Sequence, residues 1–319
     1  MANFSFPCFK FSNWVRLGQI TGPQFTVVTV LNGITFLPAI VLNVLVLVSI
    51  WRTSALHTPA MVFLGNLALS DLMVGSLAQP VFVTCLALEL DVMRWEKMYC
   101  WVAITAGFLT IVMCFVTLFN ITAVASERYL ALYLHFRYCS IITMRWAILS
   151  CSLLWMMALL LGVLWATGGM ELNSSLICVL VAVCIGIIIL CYTQVYRALR
   201  KHQLQIQALN RPSTASSGNS LSHNVHEFKR YRKSGITSLY VYLLFLLCYI
   251  PPVCVYIYHE VTRDAIRLPN LLKIAISVIF INSAINPMIY CCKLKAIRNS
   301  VWPSLTTLFL SLRSAVTSS

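Results

Sequence analysis

Of the 319 residues, 60% are hydrophobic and only 10% are charged, and the mean hydropathy is +0.83. Soluble domains average about 45–50% apolar and about 25% charged residues, so this composition excludes a soluble enzyme or adaptor and predicts an integral membrane protein. The formal net charge is +14, a value that in a soluble chain would raise the question of nucleic-acid binding.

Uncharged runs recur at 17–51, 53–70 continued by 72–88, 101–126, 146–170, 172–196, 234–259 and 274–292. Each is long enough to cross a bilayer as a helix, the second being one span interrupted by Asp71. Seven spans joined by short connections make one membrane domain. The expected limits are an N-terminal segment over 1–25, a seven-helix domain over 26–302 and a C-terminal tail over 303–319. Residues 1–25 mix aromatics and charges and lack the pattern of a cleavable signal peptide.

The first span carries Asn43 inside an aliphatic run, and the second carries Asp71 and then Pro80. A carboxylate at mid-membrane is costly unless it is paired or hydrated, so Asp71 must face an interior polar pocket. A buried, hydrogen-bonded carboxyl would serve a structural purpose; a cation site would serve a functional one, and intramembrane ionisable groups favour the second. The third span runs without charge from Trp101 to Ser126 and then meets Glu127-Arg128-Tyr129. Twenty-six helical residues rise about 39 Å, so Arg128 arrives at the far membrane face.

The fourth span contains Trp155, and a short connection at about 168–175 leads into a fifth span without proline that reaches Tyr192 and a basic exit. The stretch at about 202–230 is rich in Ser, Asn and Thr and reads as disordered. The sixth span has Phe245, Cys248, Tyr249 and Pro251; the seventh has Asn282, Asn286, Pro287 and Tyr290. Proline inside a helix removes a backbone hydrogen bond and loosens it, which places hinges in the last two spans. Beyond them, Lys293 to Val301 suggests a short amphipathic helix on the bilayer surface. The fold class is therefore an all-α membrane protein, a seven-transmembrane helix bundle with a short amphipathic eighth helix.

Seven spans put the termini on opposite sides. The connections on one side hold sixteen Lys and Arg, those on the other seven. The positive-inside rule then places the C-terminus in the cytoplasm and the N-terminus outside. Sequons at Asn3 and Asn173 both fall outside and are expected glycosylation sites. The positive charge is thus a cytoplasmic property that suits anionic lipid headgroups, and no nucleic-acid partner is expected. Most of the thirteen cysteines lie in apolar spans as small hydrophobes. Only Cys8, Cys100 and Cys178 can reach the oxidising side, with the pairing of Cys100 to Cys178 or to Cys8 left open. No Cys/His metal spacing occurs.

Asn43, Asp71, Glu127-Arg128-Tyr129, Trp155, Tyr192, Phe245-x-x-Cys248-Tyr249-x-Pro251 and Asn286-Pro287-x-x-Tyr290, in this order on seven spans, resemble the rhodopsin-like (class A) G-protein-coupled receptors. The likeness covers about residues 26–302. It implies a non-enzymatic plasma-membrane receptor that transmits an extracellular ligand signal to a heterotrimeric G protein through outward movement of the sixth helix, with arrestin and a receptor kinase as further partners. Coupling and activation would fall to Glu127, Arg128, Tyr129, Tyr192, Asn286, Pro287 and Tyr290. No cofactor is implied beyond an allosteric sodium ion, held by Asp71, Thr117, Asn282 and Asn286.

A ligand pocket would lie among Thr110, Cys114, Tyr249, Val253, Tyr256, Ile276 and Phe280. Amine receptors of the family carry an Asp where Thr110 stands, and opsins a retinal Lys where Phe280 stands; neither charge is present. The uncharged lining points to a lipid-like or neutral small molecule. An acidic rim at Glu89, Asp91 and Glu96 leaves a peptide as the second choice. The family's helix-6 Trp is Tyr249 here, and its helix-5 proline is Cys184. The short second outer loop, that missing proline and Phe136-Arg137-Tyr138-Cys139-Ser140-Ile141-Ile142-Thr143 look most like melanocortin-type receptors, in the melanocortin/cannabinoid/adenosine-type branch, although adenosine receptors carry an Asn where Tyr256 stands. The competing class is an ion channel or transporter using Asp71 as its cation site; the internal repeats expected of a transporter are not found.

Overall fold

The protein is described from a computed structural model, which defines residues 22–134, 138–167, 170–209, 243–255, 257–258, 262, 268–293 and 298–299. Their regular structure is helical. Helix α1 is Gly22–Arg52, α2 Pro59–Glu89, α3 Val92–Leu134, α4 Met144–Thr167, α5 Met170–Leu209, α6 Leu243–Val255 and α7 Leu268–Lys293. Six of them are long and apolar enough to cross a membrane, and the described part of α6 is a shorter apolar helix. The end of the bundle that carries Arg128 is called inner below, and the opposite end outer.

Each helix is set by local chemistry. Pro59 starts α2, where its missing N–H costs nothing. Within α2 the turn Val74–Ala78 is a π-helix. Pro80 follows two residues later; its ring cannot accept the regular α spacing to the preceding turn, and the wider π turn relieves that conflict. The outer half of α2 is thereby rotated, so that Gln79, Phe82, Leu86 and Glu89 form its buried face. Pro38 and Pro287 are accommodated inside α1 and α7.

Helix α3 lies at the centre, packed on α2, α4 and α5, while α7 packs on α1 and α2. The α3–α4 contact depends on two glycines. A Cβ on Gly107 would sit 1.9 Å from Trp165 Cη2, and one on Gly162 would sit 2.5 Å from Val112 Cγ2. The indole and the valine methyl occupy the room that a side chain would need. Trp155 Nε1 adds a 2.8 Å bond to Asn66 Oδ1, tying α4 to α2. The main core includes Leu67, Met113, Val116, Phe245 and Phe280, all almost fully buried.

Several boundaries depart from the sequence expectation. Helix α3 begins at Val92 instead of Trp101, with a non-helical residue, Trp95, near its start. The charges of Arg94, Glu96 and Lys97 resemble a loop in hydropathy, yet they ride on a helix extending beyond the apolar stretch. Helix α5 begins at Met170 and runs to Leu209. The expected disorder from residue 202 is therefore wrong for 202–209, where Leu204, Gln205, Ile206 and Ala208 continue the helix. Asn173 consequently lies on the first turns of α5 and not in a loop, and its side chain is outside the described residues, as is Asn3. Most of the expected surface helix at Lys293 to Val301 also lies outside them.

Candidate functional site

The polar residues singled out in the second, third and seventh spans converge inside the bundle. Asn286 Nδ2 donates to Asp71 Oδ2 at 2.9 Å, and both residues are wholly buried. One helix over, Asn43 Nδ2 donates to the Ser283 carbonyl at 3.0 Å and to the Ala39 carbonyl at 2.7 Å. The turn of α7 before Pro287 is thus held from two sides, by α1 at the Ser283 carbonyl and by α2 at the Asn286 side chain.

Just outside that pair a small cavity with room for about one water molecule is lined by Val74, Met113, Cys114, Thr117, Tyr249, Ile279, Phe280, Asn282 and Ser283. Several buried polar atoms here have no hydrogen-bond partner among the described residues. They are Asp71 Oδ1, Asn286 Oδ1 and both side-chain atoms of Asn282. Such atoms are costly when unpaired and are commonly satisfied by a bound water or ion. Hard cations prefer oxygen ligands, and this donor set of carboxylate, amide and hydroxyl oxygens fits one. Of the expected sodium ligands, Asp71 and Asn286 touch directly, while Thr117 and Asn282 share the cavity wall. Ser283 belongs to the same wall and was missed, because an isolated serine in an apolar span gives no signal.

The cavity roof is also the floor of the expected ligand pocket. Tyr249 Oη donates to the Cys114 carbonyl at 2.9 Å, crossing from α6 to α3. Its ring stacks on Phe245 with centroids 4.0 Å apart. Thr110 and Phe280 are buried, and Val253, Ile276 and Cys114 are half-buried. Tyr256 lies outside the described residues.

At the inner end Arg128 Nε stands 3.4 Å from Glu127 Oε2. The Glu127 carboxylate also accepts a short hydrogen bond from Tyr138 Oη. Tyr138 belongs to the helical turn Tyr138–Ile141 that follows α3. The carboxylate is buried, whereas the arginine side chain keeps 22% exposure. Tyr129 stacks on Tyr133 one turn on. Tyr192 and Tyr290 are buried deeper between these two polar centres, and Tyr290 Oη has no hydrogen-bond partner among the described residues.

A further feature escaped the sequence. Lys273 Nζ is bonded to the Glu89 carboxylate, and the two residues keep only 8% and 3% exposure. Glu89 is therefore no open rim residue, and the outer half of the bundle contains charge after all. Cys100 is disulfide-bonded.

The family model of the seven-transmembrane receptors of the rhodopsin family matches residues 42–175 and 169–290. The chain is also similar to an alpha-1A adrenergic receptor from Oryzias latipes, with 23% identity over 302 residues. That alignment takes in 82% of this chain and 62% of the relative's length. The family is one of receptors and not of enzymes, and its match favours the receptor over the channel or transporter. The chain belongs to the rhodopsin family of seven-transmembrane receptors.

Proposed function

We propose that this protein is a plasma-membrane receptor that couples an extracellular ligand to a heterotrimeric G protein, its N-terminus outside and its C-terminus in the cytoplasm. The observation that carries the proposal is the state of Arg128. Among the described residues this always-charged fork is ion-paired with its own neighbour Glu127 and with no other helix. Outward movement of α6 would open the inner end, letting Arg128 reach backbone carbonyls of the G protein. The Tyr290 hydroxyl and Tyr192 would then turn toward the opening. Arg128→Ala should abolish receptor-dependent nucleotide exchange on added G proteins while surface expression persists. An unaltered exchange rate would sink the coupling role.

Asp71, Thr117, Asn282 and Asn286 would hold a sodium ion that favours the resting arrangement, since an ion preferring one state shifts the population toward it. The ligand would enter above Tyr249, between Thr110, Val253, Tyr256, Ile276 and Phe280. The adrenergic relative does not extend its ligand to this chain, because Thr110 offers an incoming amine no counter-charge. An arrestin and a receptor kinase are the expected partners of the Ser- and Thr-rich tail, and glycans are expected at Asn3 and Asn173.

A further inference from the structure

Among the described residues, α6 makes one hydrogen bond to another helix: Tyr249 Oη donates to the Cys114 carbonyl of α3 at 2.9 Å. Cys114 lies inside a regular helix, so its carbonyl already accepts the backbone N–H four residues on. The phenol takes the second lone pair of that oxygen. The carbonyl would be satisfied without it, so what the bond adds is a tie between two helices.

The ring is held as well as the hydroxyl. It stacks on Phe245, one turn inward on α6, with centroids 4.0 Å apart and planes at 25°, and both residues are buried in the main core. Pro251 and Pro252 follow directly outward. Neither has an N–H, so the carbonyls of Leu247 and Cys248 lose their helical donors, and the helix bends more easily here than a regular one would. The bond to α3 therefore lies within the hinge of α6. On its outer side stands Thr110, one turn along α3 and part of the expected ligand pocket. On its inner side Tyr249 and Cys114 line the cavity with room for about one water molecule.

We propose that the Tyr249 hydroxyl is a latch that pins α6 to α3 in the resting receptor and is released when a ligand seated on its ring displaces it. The inference rests on the receptor reading, which makes α6 the helix that moves. Magnitude suits a latch better than a permanent clasp. One hydrogen bond between neutral groups biases an equilibrium about threefold to tenfold, enough to set a resting level and small enough for a bound ligand to overcome. Geometry suits release. The bond is lost once its heavy atoms part by about 1 Å, a displacement that a small turn about the two prolines supplies. The cavity beneath gives the phenol oxygen room to leave the carbonyl. The other end of the latch is on α3, the helix that carries Arg128 about 21 Å further inward, so release frees α6 from the helix that holds the coupling residue.

The test uses the full-length receptor in nanodiscs, with its own thiols as reporters. Cys248, next to Tyr249, is buried, as is Cys151 on α4, whereas Cys254 on α6 is exposed. A buried thiol reacts with N-ethylmaleimide only when the structure around it opens, so its rate follows the open population. Tyr249→Phe removes the hydroxyl, keeps the ring on Phe245 and leaves the Cys114 carbonyl its helical partner, so the variant should fold. Labelling of Cys248, read by peptide mass spectrometry, is expected to rise about threefold to tenfold, while Cys151 and Cys254 keep their wild-type rates. Basal nucleotide exchange should rise by the same factor. An unaltered rate at Cys248 would overturn the latch. So would an equal rise at Cys151, which would mean that the whole bundle had loosened. The labelling needs no G protein. A rise confined to Cys248 with flat exchange would keep the latch and sink the coupling reading, so the two failures are distinguishable.

Discussion

Two ion pairs stand at opposite ends of the bundle and are built on opposite terms. Glu127 and Arg128 are chain neighbours at the inner end of α3, and the arginine is partly open to water. Glu89 and Lys273 come from residues 184 apart in sequence, join α2 to α7, and are both buried. The inner pair adds no tie between helices; it parks a charge near the surface from which a partner can collect it. The outer pair is a tie between two buried residues of different helices. One end is built to let go and the other to hold.

The largest effect should come from breaking the outer pair on one side. Lys273→Met should cost about 3–5 kcal/mol, the usual loss when a buried ion pair is broken by removing one member, whereas Glu89→Gln/Lys273→Met should cost less. Thermal unfolding of the three proteins measures both. If the single and double variants were equally unstable, the pair would not be what holds α2 to α7. A smaller loss is expected where the inner pair is anchored. Tyr138→Phe removes only the hydroxyl that donates to Glu127, a bond to a charged group of about 1.5–3 kcal/mol. Combined with Glu127→Gln, the two effects should be non-additive, as expected of residues in contact.

The sequence revealed these two ends unequally, for a physical reason. Asp71, Asn286, Pro287 and Arg128 interrupt or close long uncharged runs, so their presence in a membrane demands an explanation before any coordinates exist. Asp71 and Asn286 do meet, at 2.9 Å. Glu89 and Lys273 sit where spans end, and a charge there reads as ordinary interfacial chemistry; only the packing of α2 on α7 buries them together. The π turn at Val74–Ala78 that aims Glu89 inward leaves no trace in hydropathy, although Pro80 beyond it hinted at a distortion. Helix α3 was placed nine residues too late because Arg94, Glu96 and Lys97 look like a loop. Tyr138 as the anchor of Glu127 was invisible because a tyrosine after a span has many ordinary uses.

Between the two pairs, the Asp71 site should respond to an ion and not to a protein partner. Sodium at ten times its Kd would stabilise the receptor by about 1.4 kcal/mol, from RT ln(1 + [L]/Kd). Asp71→Asn should flatten that dependence and remove any sodium suppression of nucleotide exchange. Midpoints measured in sodium against choline chloride decide the matter, and parallel curves for wild type and variant would exclude the site.

The smallest change in stability is expected where the functional loss is largest. Arg128 has 22% of its side chain exposed, and its partner is the preceding residue. Screened by water, such a pair contributes about 0–1 kcal/mol. Adjacent residues gain little further from being paired, because the chain already holds them together. Removing the guanidinium leaves Glu127 with the Tyr138 hydroxyl, so its carboxylate keeps a hydrogen-bond donor. Arg128→Ala should therefore unfold within about 1 kcal/mol of the wild type while losing G-protein activation. Arg128→Lys separates charge from shape. It keeps the positive charge but loses the planar fork that can bond several carbonyls at once. Stability should again be unaltered, and exchange should fall to an intermediate level. Full exchange activity in the lysine variant would reduce the role of Arg128 to its charge alone. A large loss of stability in either variant would mean that the inner pair holds the bundle together as the outer one does.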